Sequence, residues 1–314
     1  MDGFGLTAKR AILIAGPTAS GKSAVAITLA EQLGGVVINA DSMQVYADLD
    51  VLTARPSAGD LTRVPHRLFG HIDAAETYSV GRWLTEVEQC LAVTWGEGRI
   101  PVLVGGTGLY FKALTQGLSA IPLVPEVVRA RLRTEAEGRS ADELHATLAA
   151  RDPIMAARLR PTDPQRILRA LEVFEATGRS LSTFQAVREP PILPSDRCAG
   201  VFFAPERAVL NAQIDRRFDR MIDEGAVDEV ARLGARQLDP VLPAMRALGV
   251  PPLLAYLAGD LPLAEAVDRG KLLTRQYAKR QMTFARHQLP DLDWVAPADA
   301  LASLEGRWAA LSRE

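Results

Sequence analysis

Short apolar runs of strand length alternate with segments of helical period through the first third of the chain. Ala11-Ile12-Leu13-Ile14-Ala15 is unbroken apolar sequence ending at Gly16, the pattern of a strand buried on both faces. Residues 24–33 follow with helical spacing. Residues 35–40 (Gly-Val-Val-Ile-Asn-Ala) form a second apolar run. A helical pattern over 80–95 stops near Gly96 and Gly98. A third run, Ile100-Pro101-Val102-Leu103-Val104, leads into Gly105-Gly106-Thr107-Gly108-Leu109-Tyr110. Strands alternating with helical crossovers predict a parallel sheet covered by helices.

From Leu118 the pattern changes. Pro122 and Pro125 break the chain, and the next stretches are helical: from Glu126 to an interruption at Gly138, then 141–150, then a start at Asp152-Pro153. Asp163-Pro164 supplies an N-cap and a first-turn proline, and the helix over 165–177 stops at Gly178. No strand pattern occurs before Pro190, Pro191 and Pro194. Residues 199–203 return as a strand. A helix over 207–222 then places Ile214, Phe218, Met221 and Ile222 on one face. The remainder reads as helical, with no fixed-period repeat and no low-complexity tract. The fold expected is α/β: a P-loop-type parallel sheet flanked by helices, formed by 1–117 and 200–314, with an all-helical insertion domain over 118–199.

Composition narrows the class. Hydrophobic residues are 48% of 314, so the chain is globular rather than disordered. A net charge of −2 makes no case for a polyanion partner, so any basic patch must be local. Cys90 and Cys198 form no disulfide framework or zinc pattern, and the four histidines show no ligand spacing with them. No apolar run is long enough to span a bilayer, and the N-terminus carries no signal-peptide pattern. The expectation is a reduced, cytoplasmic protein without membrane association.

The candidate chemistry starts between the first strand and the helix after it. Gly16-Pro17-Thr18-Ala19-Ser20-Gly21-Lys22-Ser23 is a phosphate-binding loop in its proper strand–helix context. Its glycines let backbone N–H groups converge on an anion, and the helix adds its positive end. Lys22 brings a full charge, and the Ser23 hydroxyl can ligate Mg²⁺. The second strand delivers Asp41-Ser42-Met43-Gln44-Val45-Tyr46, and the third delivers the Gly-Gly-Thr-Gly loop, to the same carboxyl edge where open parallel sheets bind ligands. There the glycines would let backbone approach a ligand closely.

Two basic stretches interrupt the near-neutral chain. One holds Arg158, Arg160, Gln165, Arg166 and Arg169. The other runs from Arg269 through Lys271, Arg275, Lys279 and Arg280 to Arg286 without one acid between. Local basic stripes fit nucleic acid or phosphate. The residues themselves leave three readings: a small-molecule kinase using ATP with Asp41 as base, an enzyme transferring the organic group of a diphosphate, and a nucleotide switch. Against the switch, the third strand ends in Gly-Gly where a metal-holding Asp would be expected.

Gly16–Ser23, Asp41–Tyr46, Gly105–Tyr110, Asp163-Pro164-Gln165-Arg166-Ile167-Leu168-Arg169-Ala170-Leu171-Glu172-Val173 and Lys279-Arg280-Gln281-Met282-Thr283, in that order and spacing, closely resemble the bacterial tRNA dimethylallyltransferases, also called tRNA isopentenyltransferases. Two departures stand out: Val250-Pro251-Pro252 follows Met245-Arg246-Ala247-Leu248-Gly249 where the family often has Tyr, and Phe284 stands where Trp is frequent. The resemblance implies transfer of a dimethylallyl group from its diphosphate to N6 of the adenosine 3′-adjacent to the anticodon, with Mg²⁺; Ser23 is the expected metal contact, and a monomer is expected, with the oligomeric state left open by the sequence. It implies that residues Gly16, Pro17, Thr18, Ala19, Ser20, Gly21, Lys22 and Ser23 hold the diphosphate.

In that frame Asp41 is the general base, Thr107 orients Asp41 or the amine, and Lys22 and Arg217 meet the leaving group. The pattern does not distinguish Arg217 from its neighbour Arg216. The tRNA anticodon stem-loop would be held by Asp41, Ser42, Met43, Gln44, Thr107, Arg129, Gln165, Arg166, Ile167, Leu168, Arg169, Arg246, Lys279, Arg280, Gln281 and Arg286.

Overall fold

A computed structural model describes residues 9–313. In chain order the strands are β1 (Ala11–Ala15), β2 (Val36–Asn39), β3 (His66–Arg67), β4 (Pro101–Gly105), β5 (Cys198–Phe203) and β6 (Asp293–Val295). The helices are α1 (Lys22–Leu33), α2 (Ala58–Arg63), α3 (Val80–Gly96), α4 (Gly108–Gln116), α5 (Glu126–Ala136), α6 (Ala141–Arg151), α7 (Pro153–Ala156), α8 (Pro164–Thr177), α9 (Leu181–Gln185), α10 (Arg207–Asp223), α11 (Ala226–Ala235), α12 (Val250–Leu257), α13 (Leu263–Gln288) and α14 (Ala300–Leu311).

The strands form one parallel sheet in the order β3-β2-β4-β1-β5-β6. β1 lies between β4 and β5, with Leu13 opposite Leu103 on one side and Gly200 on the other. Alternate residues of the central strands face opposite layers, as a pleat requires. Ala11, Leu13, Val36, Ile38 and Leu103 pack with residues of α3, α4 and the end of α13. Ile12, Ile14, Val37, Val102 and Val201 pack with residues of α1 and α14. A separate apolar cluster joins α11 and α12 to the chain that leaves β2.

The chain divides into two compact units, Met1–Gln116 with Pro191–Glu314 and Gly117–Pro190. Residues 191–199, assigned to the insertion from sequence, belong to the first unit. The Leu193 N–H donates to the Leu114 carbonyl, and β5 begins at Cys198. The second unit is helical among its described elements and has its own core, including Leu148, Ile167, Leu171 and Val173. Two strands differ from the sequence expectation. β3 is only two residues long, and β6 interrupts a C-terminal third expected to be helical. β6 sits at the sheet edge with two of its three residues exposed, so it has no apolar run to reveal it. Val250, Pro251 and Pro252 open α12, where prolines near a helix start cost no hydrogen bond.

Candidate active site

The phosphate loop joins β1 to α1. Ala19 and Gly21 adopt left-handed backbone, at φ 62° and 86°. Glycine does so freely, while an alanine there is strained. Lys22 opens α1, and its Nζ donates to the Pro17 carbonyl at 3.2 Å. Burial pushes its pKa down from 10.5 to about 8; Asp41 opposes that shift and Arg217 adds to it. Three charged groups from β1–α1, the end of β2 and α10 therefore feel one another at one edge of the sheet. Ser23 is exposed in the first turn of α1, and the Ser20 hydroxyl is buried without a partner among the described residues.

Asp41 is held by Asn39, the last residue of β2, which is fully buried. The Asn39 amide donates to the Asp41 and Leu68 carbonyls, both at 2.9 Å, and its side-chain oxygen accepts the Asp41 N–H at 2.8 Å. Trp83 fixes the Asn39 carbonyl through its indole N–H at 3.0 Å. Asp41 Oδ1 accepts the Met43 N–H at 3.0 Å. The carboxylate thus caps its own turn through one oxygen. Oδ2 carries no protein hydrogen bond among those found for the described residues.

Thr107 does not orient the Asp41 carboxylate. Its Oγ1 accepts the Ser42 N–H at 2.9 Å and donates to the Ser42 hydroxyl at 3.2 Å. The Tyr277 hydroxyl is raised in pKa by burial and by Asp41. The glycines before Thr107 serve protein contacts. A Cβ at Gly105 would lie 2.0 Å from the Ala40 carbonyl oxygen, and one at Gly106 would lie 2.1 Å from the Gln281 amide nitrogen. A Cβ at Gly108 would meet the Phe284 ring at 2.4 Å.

Gln281 differs most from its expected role. It is 6% exposed and offers RNA no surface. Its oxygen accepts the Thr18 N–H at 2.9 Å, and its amide donates to the Gly106 carbonyl at 2.8 Å. It therefore ties the phosphate loop to the loop after β4. Arg217 is half-buried while Arg216 is exposed, which separates two residues that the pattern left equal. A cavity of about 40 Å³ is lined by Thr18, Ala19, Leu52, Arg217, Phe218 and Leu248 among others. It is apolar along one side and polar at the phosphate loop. Gln44 turns inward, donating to the Thr53 and Ala54 carbonyls at 2.9 and 3.0 Å.

On α13 half of the basic stretch has acidic partners. Lys271 pairs with Asp219 at 2.6 Å, Arg275 pairs with Asp215, and Arg269 pairs with Glu265 at 2.5 Å. Lys279, Arg280 and Arg286 remain exposed, the arginines lying over the rings of Tyr277 and Trp294. Arg246 is exposed in a short turn, donating to the Pro240 carbonyl at 3.3 Å.

Within the second unit, Gln165 and Arg166 are exposed at the start of α8, and Arg166 meets Asp163 at 3.3 Å. Arg129 and Arg169 flank the buried Glu172 at 4.0 and 3.5 Å. Ile167 is 0% exposed and belongs to that unit's core, so its side chain reaches no RNA. Leu168 packs against the same core from a half-buried position.

No cluster of three His, Cys, Asp or Glu side chains able to hold a metal occurs among the described residues. The exposed Ser23 hydroxyl at the end of the phosphate loop suits a hard cation that keeps several waters and takes phosphate oxygens, as Mg²⁺ does.

A family profile described as IPP transferase matches residues 44–288, and one described as isopentenyl transferase matches 9–70. The chain is 63% identical over 290 residues to the tRNA dimethylallyltransferase of Beijerinckia indica, covering 92% of this chain and 96% of that one. It is 59% identical over 294 residues to that of Methylobacterium nodulans, covering 93% and 97%. The structure resembles the full-length tRNA isopentenylpyrophosphate transferase of Bacillus halodurans with a TM-score of 0.69 at 32% identity, covering 97% of each chain. It also resembles a eukaryotic dimethylallyltransferase acting on tRNA, with a TM-score of 0.78 at 27% identity, covering 94% of this chain and 77% of that one. With a profile that spans most of its length and relatives this similar from end to end, the chain belongs to the IPP transferase family.

Proposed function

We propose that this chain transfers the dimethylallyl group of dimethylallyl diphosphate to N6 of the adenosine 3′-adjacent to the anticodon of tRNA, releasing diphosphate. The observation that carries the reading is the placement of Lys22 in the phosphate loop, of Arg217 on one cavity with Thr18 and Ala19 of that loop, and of Asp41 at the end of β2 with one carboxylate oxygen outside its own turn. Two cations suit a leaving diphosphate, and one carboxylate with an uncommitted oxygen suits a proton acceptor. The names of the relatives supply the donor group and the tRNA.

The roles follow from the chemistry. The adenine must leave its base stack to react. Its N6 lone pair is delocalised into the ring, so removal of a proton by Asp41 raises its nucleophilicity as the C–N bond forms. The bond from the allylic carbon to the diphosphate oxygen breaks with both electrons leaving on oxygen. Loop N–H groups, the Lys22 ammonium and the Arg217 guanidinium stabilise that growing charge. Mg²⁺ on Ser23 would neutralise further diphosphate charge. Thr107 keeps the Ser42 turn, and hence the backbone following Asp41, in place. Exposed Gln165 and Arg166, half-buried Arg129 and Arg169, and exposed Lys279, Arg280 and Arg286 would hold the anticodon stem-loop through phosphate contacts.

The kinase reading is not favoured, because the relatives that match more than nine-tenths of the chain are named as tRNA dimethylallyltransferases. No helix among the described residues is long and apolar enough to cross a membrane, and action on tRNA supports work in the cytoplasm. Incubation with donor labelled in the dimethylallyl group, with tRNA or with ATP and a small acceptor, tests the reading. Label entering tRNA supports it. Labelled phosphate moving from ATP, with none of the prenyl label moving, would overturn it.

A further inference from the structure

Glu229 lies in the first turn of α11 and is 3% exposed. A buried carboxylate needs strong partners. Here backbone supplies them. Oε2 accepts the N–H groups of Asp50 and Val51 at 2.7 and 2.8 Å, and Oε1 accepts that of Leu52 at 3.0 Å. Such charge-assisted bonds are roughly twice as strong as neutral ones.

The turn they hold leads directly to the proposed diphosphate site. The Thr53 carbonyl accepts the Gln44 amide at 2.9 Å and faces an Arg217 guanidinium nitrogen at 3.5 Å. Leu52 lines the same cavity as Arg217. Ala54, the next residue, sits at φ 47°, a conformation that alanine keeps only where its surroundings fix it. Beyond the other end of α11, Arg236 pairs with Asp48 at 2.5 Å and Asp73 at 2.7 Å. That contact grips the same chain segment away from Thr53.

We propose that Glu229 is a positioning residue: by binding the N–H groups of Asp50, Val51 and Leu52 it fixes the Thr53 carbonyl, and through it the Arg217 guanidinium that meets the diphosphate. The inference rests on the reading of Arg217 as a diphosphate ligand. No pattern in the sequence links residue 229 to residues 50–52.

The test is a cycle of inorganic diphosphate binding by calorimetry, using the full chain as wild type, Glu229→Gln, Arg217→Ala and the double variant, with Arg236→Ala as a comparison. Glu229→Gln keeps the shape but loses the charge. It should weaken diphosphate binding about tenfold, the scale of one charge-assisted contact misplaced. Arg217→Ala should weaken binding at least as much, and the double variant no further. Arg236→Ala should bind as wild type does. Equal weakening by Glu229→Gln in both backgrounds, unchanged binding, or an equal loss in Arg236→Ala would overturn the proposal. If Glu229→Gln does not fold, Glu229→Asp, whose carboxylate is withdrawn by one methylene, enters the same cycle with the same expectations. Because the cycle needs no tRNA, its failure is distinct from a failure of prenyl transfer, which would count against the proposed function.

Discussion

At the scale of single residues the proposed chemistry rests on Lys22 and Asp41, and each makes its own prediction. Asp41→Asn keeps the Asn39 and Met43 contacts within reach while removing the proton acceptor. A positioned base is worth about 10²–10⁴-fold in rate, so single-turnover transfer should fall by that order with tRNA affinity kept. Near wild-type transfer would remove Asp41 from the mechanism. Lys22 titrates near 8 because burial disfavours its charge. Its folded pKa lies below the ordinary 10.5, so the unfolded chain binds the extra proton between those values. The ligand-free fold therefore bears the cost of this charge below about pH 8 and sheds it as pH rises toward 10.5. Donor binding runs the opposite way, because the diphosphate needs the ammonium. Donor affinity should be flat below about pH 8 and fall above it. Lys22→Arg, which stays charged, should lose that breakpoint. A breakpoint unchanged in Lys22→Arg would assign it to another group. The Lys22 and Asp41 motifs were legible because their chemistry is tied to short contiguous patterns. Gln281 was misread because its two partners, Thr18 and Gly106, are remote in sequence and its burial follows from helix packing.

Among the elements, α13 combines two tasks along its 26 residues. Gln281 faces the loops, while Lys279 and Arg280 face solvent. From sequence the helix was an uncompensated basic stripe. The structure reduces that stripe, because Asp215 and Asp219 of α10 pair with Arg275 and Lys271. Acids one helix away cannot be found by reading along a single helix. Neutralising the exposed pair in Lys279→Ala with Arg280→Ala should lower the log–log salt slope of tRNA binding by roughly one to two units. Donor affinity should not change. Parallel salt lines with equal affinity would make these residues ordinary solvated charges. The glycine loop after β4 gives a second expectation. A Cβ at Gly105 would lie 2.0 Å from backbone at Ala40, and backbone cannot swing aside as a side chain can. Gly105→Ala should destabilise the fold by about 1–3 kcal/mol in denaturant unfolding. An unchanged midpoint would show that β2 and β4 separate more easily than their contact implies.

Over the whole molecule, the parallel sheet and its helical layers were legible because β1, β2, β4 and β5 are buried on both faces and read as continuous apolar runs. β3 and β6 escaped because a two-residue strand and an exposed edge strand carry no such signal. The second unit was visible as a change of period, but its boundary was set too late, since no apolar strand pattern appears after Pro190, Pro191 and Pro194 until residue 199. Which arginines on that unit are free for RNA depends on Glu172, whose burial among Arg129, Arg133 and Arg169 no spacing announces. The central claim is that a diphosphate-binding sheet edge alkylates tRNA. Its most direct test is nucleoside analysis by mass spectrometry of anticodon stem-loop RNA incubated with dimethylallyl diphosphate, Mg²⁺ and either wild type or Asp41→Asn. The account predicts N6-dimethylallyl adenosine at the position 3′ to the anticodon with wild type, and its near absence over the same time with Asp41→Asn. Unmodified adenosine with wild type, or the prenyl group on a different nucleoside, would contradict it.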